Sequence, residues 1–422
     1  MLNNKSGEKI TLILIILVVA IGVGVYFALR SSKISITNQQ QGGQSFSTPY
    51  SSRERSGEEV LSTSSEKSFL DTYEEEDITL TGNKAKLVIL VDGAVSGFWV
   101  ASQPKEEGSQ NQLLLSDIFY LNEKGEIFKL KEPNQAESIA SSSFGRPLRV
   151  IQNNQGDRVA VQFDSGTVAL FDVKAKSWQE LGGKEITDIS FSPDGKKVAF
   201  LKEEIKESDV KTSIFIKDLS SSKQPLTLVA SLKIVDFNLL WPENNSLFLL
   251  PKPSYFFRGQ AWKVDLKSKT ITWLTAGNGY SLLFSSLANL GLQFTSAEKK
   301  SEMSVTVVDS NLKKLADLSF STFKEKCAFS SSEKEVAYCA VPYFANKTSD
   351  LTLPDDFYKK GVYFKDRIYK IDLKNSVVES IFNLEDVSLD AIYLKEKNQQ
   401  LFFINRYDDK LYLYDFSEKV SE

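Results

Sequence analysis

Between residues 168 and 415 a short apolar strand that closes on aspartate recurs: 168–172 VALFD, 214–218 IFIKD, 261–265 AWKVD, 305–309 VTVVD, 368–372 IYKID and 411–415 LYLYD. Successive aspartates lie 46, 47, 44, 63 and 43 residues apart. The strand EIFKLK at 126–131 sits one period earlier without the acid, which makes seven units. A unit of about 45 residues with about four short strands cannot bury the faces of its own small sheet, so it must stack against copies of itself. That period is the length of a propeller blade.

Upstream of each aspartate lies a hairpin. The clearest copy, ITDISFSPDGKKVAFL at 186–201, is a strand, a Pro-Asp-Gly turn and a second strand. Pro193 presets φ and Gly195 takes the positive φ that the turn needs. Degraded copies stand at 152–161, 240–249, 327–339 and 394–403, each with an apolar strand at the same offset after the turn. Beyond residue 85 the pattern alternates apolar and polar positions, and no long stretch of helical period occurs. The expected fold is all-β, a propeller of about seven blades over 69–422. The last repeat, 389–416, supplies only three strands, and KLVILV at 86–91 is an unassigned strand. That N-terminal strand is predicted to join the last blade and close the ring, leaving no free edge.

The run FSPDGKKVAF at 191–200 resembles the repeat of TolB-type, WD40-like β-propellers, and the likeness extends in weaker form over about residues 86–416. In that family the propellers serve as exported protein-binding modules or as domains appended to enzymes. The resemblance therefore implies the fold and leaves the function open. No appended catalytic domain is visible in this chain.

Each recurring aspartate stands at a strand end just before a turn such as LKSK at 266–269. A carboxylate there accepts bonds from turn amides, and radial symmetry spreads the copies around a ring instead of gathering them. Turn capping is the expectation, not metal ligation. No metal site and no cofactor is predicted.

Ahead of the body, residues 10–29 read ITLILIILVVAIGVGVYFAL, uncharged and long enough to cross the roughly 30 Å hydrocarbon core. This predicts a short tail at 1–9 and a transmembrane helix over 10–30. The run ends in Tyr26, Phe27, Ala28, Leu29 and Arg30 rather than a small-residue cleavage site, which favours an uncleaved signal-anchor over a removed signal peptide. Lys5 and Lys9 on one side and Arg30 and Lys33 on the other barely choose an orientation. The expected arrangement is single-pass in the cytoplasmic membrane with the propeller on the exported side. Residues 31–68, rich in Ser, Gln and Gly, read as a flexible polar linker, either a spacer or an inert tail.

Composition removes whole classes of chemistry. The chain has no histidine, which excludes Ser-His-Asp and Cys-His nucleophiles and every His-containing zinc site. A net charge of −4 disfavours nucleic acid as a partner.

Long connections between second and third strands share one face of the disc. Three stand out: the charged 202–211; PKPSYFFRG at 251–259; and 341–366, which carries Pro342, Tyr343, Phe344, Asp355, Asp356, Phe357, Tyr358, Tyr363 and Phe364. Tyr255, Phe256, Phe257, Arg258, Tyr343, Phe344, Phe357, Tyr358 and Tyr363 form the candidate binding rim, since such residues dominate interface energies. Equally, these aromatics serve to anchor the long loops to the disc. Cys327 and Cys339 flank a hairpin and fall opposite each other, as a cross-strand disulfide or as two small buried thiols.

The expected function is a non-catalytic binding or scaffold module for an envelope protein or wall polymer, with no catalytic residue assigned. The alternative is a glycan-active hydrolase or lyase using clustered carboxylates, for which Asp355 and Asp356 on the long loop are the only local pair worth naming. The residues do not set an oligomeric state.

Overall fold

A computed structural model of the chain describes residues 86–101, 115–183, 185–207, 209–220, 225–347, 350–375, 377–382 and 387–416. The expected transmembrane helix over 10–30 and the linker over 31–68 lie outside these residues. Among the described residues no helix is long and apolar enough to cross a membrane.

The body is a seven-bladed propeller of four-stranded antiparallel sheets. In chain order the first six blades span 95–141, 147–180, 186–232, 237–278, 281–318 and 327–382. Blade seven takes three strands from the end of the body, Ala391–Lys397, Gln400–Asn405 and Leu411–Asp415, and its outermost strand, Lys86–Val91, from the beginning. Lys86 is in register with Asp415 and Val91 with Leu411, so a single sheet joins the first described residues to the last blade.

The core lies between blades, because each small sheet is buried on both faces by its neighbours. This explains second strands such as Ser246–Pro251, which is buried at every position and reads as a continuous apolar run. At the closing seam Leu90, Phe98, Val100, Ile118, Phe402, Ile404 and Leu411 pack into one cluster drawn from blades one and seven. A fully buried Phe402 contributes about 1.5–3 kcal/mol over an exposed one.

The recurring aspartates cap turns. Asp172 Oδ1 accepts from Ala175 N at 2.8 Å, and Asp309 Oδ1 from Asn311 and Lys313 N at 2.8 Å. Asp265 accepts from Lys267 and Ser268 N, and Asp372 from Lys374 and Asn375 N. Turn amides, led by Ser268 N and Asn375 N respectively, hold the exposed carboxyls of Asp265 and Asp372 below the usual range. Cys327 and Cys339 face each other on adjacent strands and are joined in a disulfide.

Two of the three long connections differ from their expected form. Strands Lys197–Lys206 and Asp209–Asp218 continue their ladder out to the pair Lys206 and Asp209, so 202–211 is a projecting ribbon and not a loop. Strand Val336–Ala345 likewise runs through Pro342, which a register shift accommodates. The connection proper spans 346–363 and carries a helical turn, Asp355–Tyr358.

Candidate functional site

The first strand of every blade lines the ring axis, and side chains aimed inward from these strands define a central funnel. Its cavity of about 290 Å³ is walled by Gly97 and Phe98 of blade one, Arg149 and Gln152 of blade two, and Leu283 of blade five. Lys324 and Glu325, on the turn before blade six, and Tyr393 and Lys395 of blade seven complete it.

Local backbone features set this geometry. Gly97 lets the first two inner strands approach, since a Cβ there would lie 2.4 Å from Val150 Cγ2. On the facing wall the ladder of blade seven slips between Ile392 and Lys395, and Tyr393 takes φ +57. A left-handed tyrosine within an inner strand is costly, and a bulge of this kind re-aims side chains. Here Tyr393, Leu394 and Lys395 all line the cavity, with Leu394 the most deeply buried of the run.

Polar side chains of the inner strands also bond across blade seams. Asp188 of blade three is buried, and its Oδ2 accepts from Leu239 N of blade four at 2.6 Å. Its Oδ1 accepts from Ile189 N at 2.8 Å and also holds Nη1 of Arg149. Arg149 thereby stands fixed on the funnel wall with 39% of its side chain exposed.

Lys395 is the outlying group. Its Nζ donates to Gln152 Oε1 at 2.6 Å and lies 5.9 Å from the Phe98 ring centroid. Among the described residues no carboxylate lies within ion-pair distance of it. Burial pushes this amine down to about 8.

From the helical turn Asp355–Tyr358 one side chain reaches the funnel wall. Tyr358 OH donates to Glu325 Oε2 at 3.0 Å, and enclosure together with the Glu325 charge raises its hydroxyl well above the ordinary tyrosine value. Tyr393 is raised by enclosure first and by Glu325 next, with Arg149 and Arg406 opposing. Both rings keep a wet side, 38% and 46% exposed, so their enclosure is that of a narrow mouth and not of a dry core.

A buried ionic cluster anchors the 346–363 connection. Lys326 Nζ, without exposed surface, donates to Asp366 and, at 2.6 Å, to Asp390 Oδ1. Arg406 pairs with Asp390 Oδ2 at 3.0 Å, donates to Phe357 O at 3.3 Å, and stacks 4.5 Å from the Phe357 ring and 4.9 Å from that of Tyr363. Burial pushes the Asp366 carboxyl up to about 6 against the pull of Lys326.

The candidate rim residues divide. Phe256 and Phe257 are 66% and 75% exposed beside Tyr255 and the exposed Arg258. Their loop meets the other on one face, since Asp355 Oδ2 accepts from Tyr255 N at 2.6 Å and Oδ1 from Ser254 Oγ at 3.0 Å. Tyr358 reaches the funnel, and Tyr363 stacks on Tyr407 at 5.5 Å. Phe357 is buried, stacked on Phe323 at 4.0 Å. Tyr343 and Phe344 line a separate groove with blade five, where Arg367 lies 4.6 Å from the Tyr343 ring.

Asp355 and Asp356 form no acid–base pair: Asp355 bonds the 252–257 loop, and Asp356 Oδ2 accepts from Thr352 N at 2.9 Å and lies 3.9 Å from Lys347 Nζ. Arg149, Gln152, Glu325, Tyr393 and Lys395 are absent from the residues singled out in the sequence. For Arg149, Gln152 and Lys395 the one signal is a charged or amide side chain inside a largely apolar first strand, and Glu325 and Tyr393 carry none.

No family model matches the chain, and no curated protein matches it. Among solved structures the chain is similar to an oligogalacturonate lyase in complex with manganese, at TM-score 0.50 and 10% identity, covering 79% of this chain and 94% of that one. It is also similar to an oligogalacturonate lyase from Vibrio parahaemolyticus, at TM-score 0.52 and 9% identity, with the same 79% and 94% coverage. At this identity the likeness is one of fold. Both of these propellers are enzymes, so the fold itself gives no support to the expectation of a non-catalytic body, which is not kept. The manganese of the first has no donor set here: the chain lacks histidine, and among the described residues no group of three His, Cys, Asp or Glu could hold an ion.

Proposed function

We propose that the body is a glycan-active enzyme working from the funnel, and that it cleaves an acidic glycan by β-elimination with Lys395 as base. The observation that carries this reading is the Lys395 amine, which faces the cavity, bonds a neutral amide and is lowered to about 8. An amine in that range is partly unprotonated near neutrality and can take a proton.

Elimination needs a carbon acid, and a uronic acid residue supplies one beside its carboxylate once that charge is neutralised. Arg149 is placed to do so, oriented by Asp188 and exposed to the cavity. Lys395 Nζ takes the proton, the released pair forms the carbon–carbon double bond, and the glycosidic C–O bond breaks. The leaving oxygen takes a proton from water at the mouth. Tyr358 and Tyr393 offer flat faces to the sugar ring.

Hydrolysis by two carboxyls is less well supported, because that chemistry needs a facing pair about 5–9.5 Å apart with access to substrate. Asp355 and Asp356 bond loops, and Asp366 and Asp390 are buried around Lys326. The reading keeps residues 10–29 as a membrane tether and the exported side as the compartment, which the disulfide favours.

The test incubates the full chain with oligogalacturonate and with other uronate-bearing glycans and follows ultraviolet absorbance of the unsaturated product. Lys395→Met is expected to cost about a thousandfold in rate. A wild-type chain that forms no absorbing product from any acidic glycan sinks the reading, and a fully active Lys395→Met removes this lysine from the mechanism.

A further inference from the structure

Lys395 reaches farther than a lysine needs to find water. From blade seven its side chain crosses the face of Phe98 in blade one and ends on Gln152 in blade two, 243 residues away in sequence. The acceptor it meets is an amide whose two ends are both committed. Gln152 Oε1 accepts from Val100 N at 3.2 Å as well as from Lys395, and Nε2 donates to Asn153 O at 3.3 Å. The amide cannot turn over. Reversal would set its NH₂ against two donors, the Val100 N–H and the Lys395 amine, and its oxygen against the Asn153 carbonyl.

We propose that Gln152 is a positioning residue that holds the Lys395 amine in the funnel while withholding the negative charge that would lock it as an ammonium. A glutamate fits the same space and would accept from the same two donors. Its carboxylate would also sit at ion-pair distance, which favours the charged lysine by about one to three pKa units. The other charged and titratable groups on the funnel wall are Arg149, Lys324, Glu325 and Tyr393. Glu325 is engaged by Tyr358 and lies 3.8 Å from Lys324, and Arg149 is engaged by Asp188. The neutral contact at Gln152 therefore adds no charge to oppose burial, which sets the state of the amine. Phe98 favours the cation weakly at its distance, and burial outweighs it.

The catalytic consequence rests on the reading of Lys395 as the base, whereas the contact itself is open to test without substrate. The full chain is pulse-labelled with acetic anhydride across a pH series, and the labelling midpoint of Lys395 is read by mass spectrometry beside that of exposed Lys252. Wild type is expected to show Lys395 titrating well below Lys252, and Gln152→Glu to raise its midpoint by at least about one unit, a roughly tenfold slower labelling near neutrality. A Lys395 midpoint equal to that of Lys252 in wild type, or unmoved in Gln152→Glu, overturns the proposal.

If buried Lys326 becomes reactive in Gln152→Glu, the fold has failed and Gln152→Leu replaces it. Loss of the acceptor is then expected to lower the midpoint below wild type, and an unchanged midpoint again overturns the proposal. Where the midpoints move as expected but no acidic glycan is cleaved, it is the elimination reading that fails and not the positioning role. Where both hold, the acidic limb of the pH–rate profile moves with the labelling midpoint.

Discussion

Lys326 and Asp390 meet at 2.6 Å between blades six and seven, and neither side chain has any surface in water. Asp366 and Arg406 complete a set of two cations and two carboxylates around them. Removing one member strands a charge where nothing can solvate it. Lys326→Met is expected to lower stability by about 3–5 kcal/mol. Denaturant unfolding checks this, and a loss below about 1 kcal/mol would mean that the cluster is not a structural anchor.

The same cluster gives stability a pH dependence of definite sign. Burial raises the Asp366 carboxyl to about 6, so the folded chain binds this proton more tightly than the unfolded chain does. The contribution is fully present below the unfolded carboxylate range near pH 4 and is lost as pH rises through about 6, up to about 3 kcal/mol. Asp366→Asn cannot titrate there. Its stability between about pH 4 and pH 6 is expected to fall less steeply than that of wild type, and parallel slopes would refute the assignment.

Gly156 adopts φ +69, and a Cβ at this position would lie 2.1 Å from the carbonyl oxygen of Val100 in the neighbouring blade. Alanine has to push the first and second blades apart. Gly156→Ala is expected to cost about 2–3 kcal/mol by thermal or denaturant unfolding. Since the Val100 N–H is bonded to Gln152, the same change should disturb Lys395 labelling, and a variant as stable as wild type with unaltered labelling would contradict both expectations.

The disulfide between Cys327 and Cys339 pins the first two strands of blade six, directly after the turn that carries Lys324 and Glu325. Replacing both cysteines by serine is expected to cost about 3 kcal/mol. Unfolding of the oxidised chain and of the double variant measures it, and equal midpoints would show that this loop needs no cross-link.

What could be read in the residues was whatever a local rule enforces. Asp172, Asp265, Asp309 and Asp372 lie at strand ends because turn amides need acceptors, so their spacing counts the blades before any contact is known. The funnel obeys no local rule. Arg149, Glu325 and Lys395 each look like ordinary polar positions of a strand or turn, and only radial closure brings them to one cavity. Phe357 shows the converse: as a residue type it suits a binding surface, yet the stack with Phe323 takes it inside. The expectation of a non-catalytic body rested on histidine and carboxylate pairs, neither of which bears on a lysine held by an amide.

The strand Lys86–Val91 is the earliest part of the body to be synthesised, and its partner Leu411–Asp415 is among the last. Between those two events each of the other blades leaves the ribosome, and the sheet of blade seven stays incomplete until the final strand arrives. Completion of the ring is therefore set by the chain's last strand, and a copy that stops short of it lacks the register that joins Lys86 to Asp415.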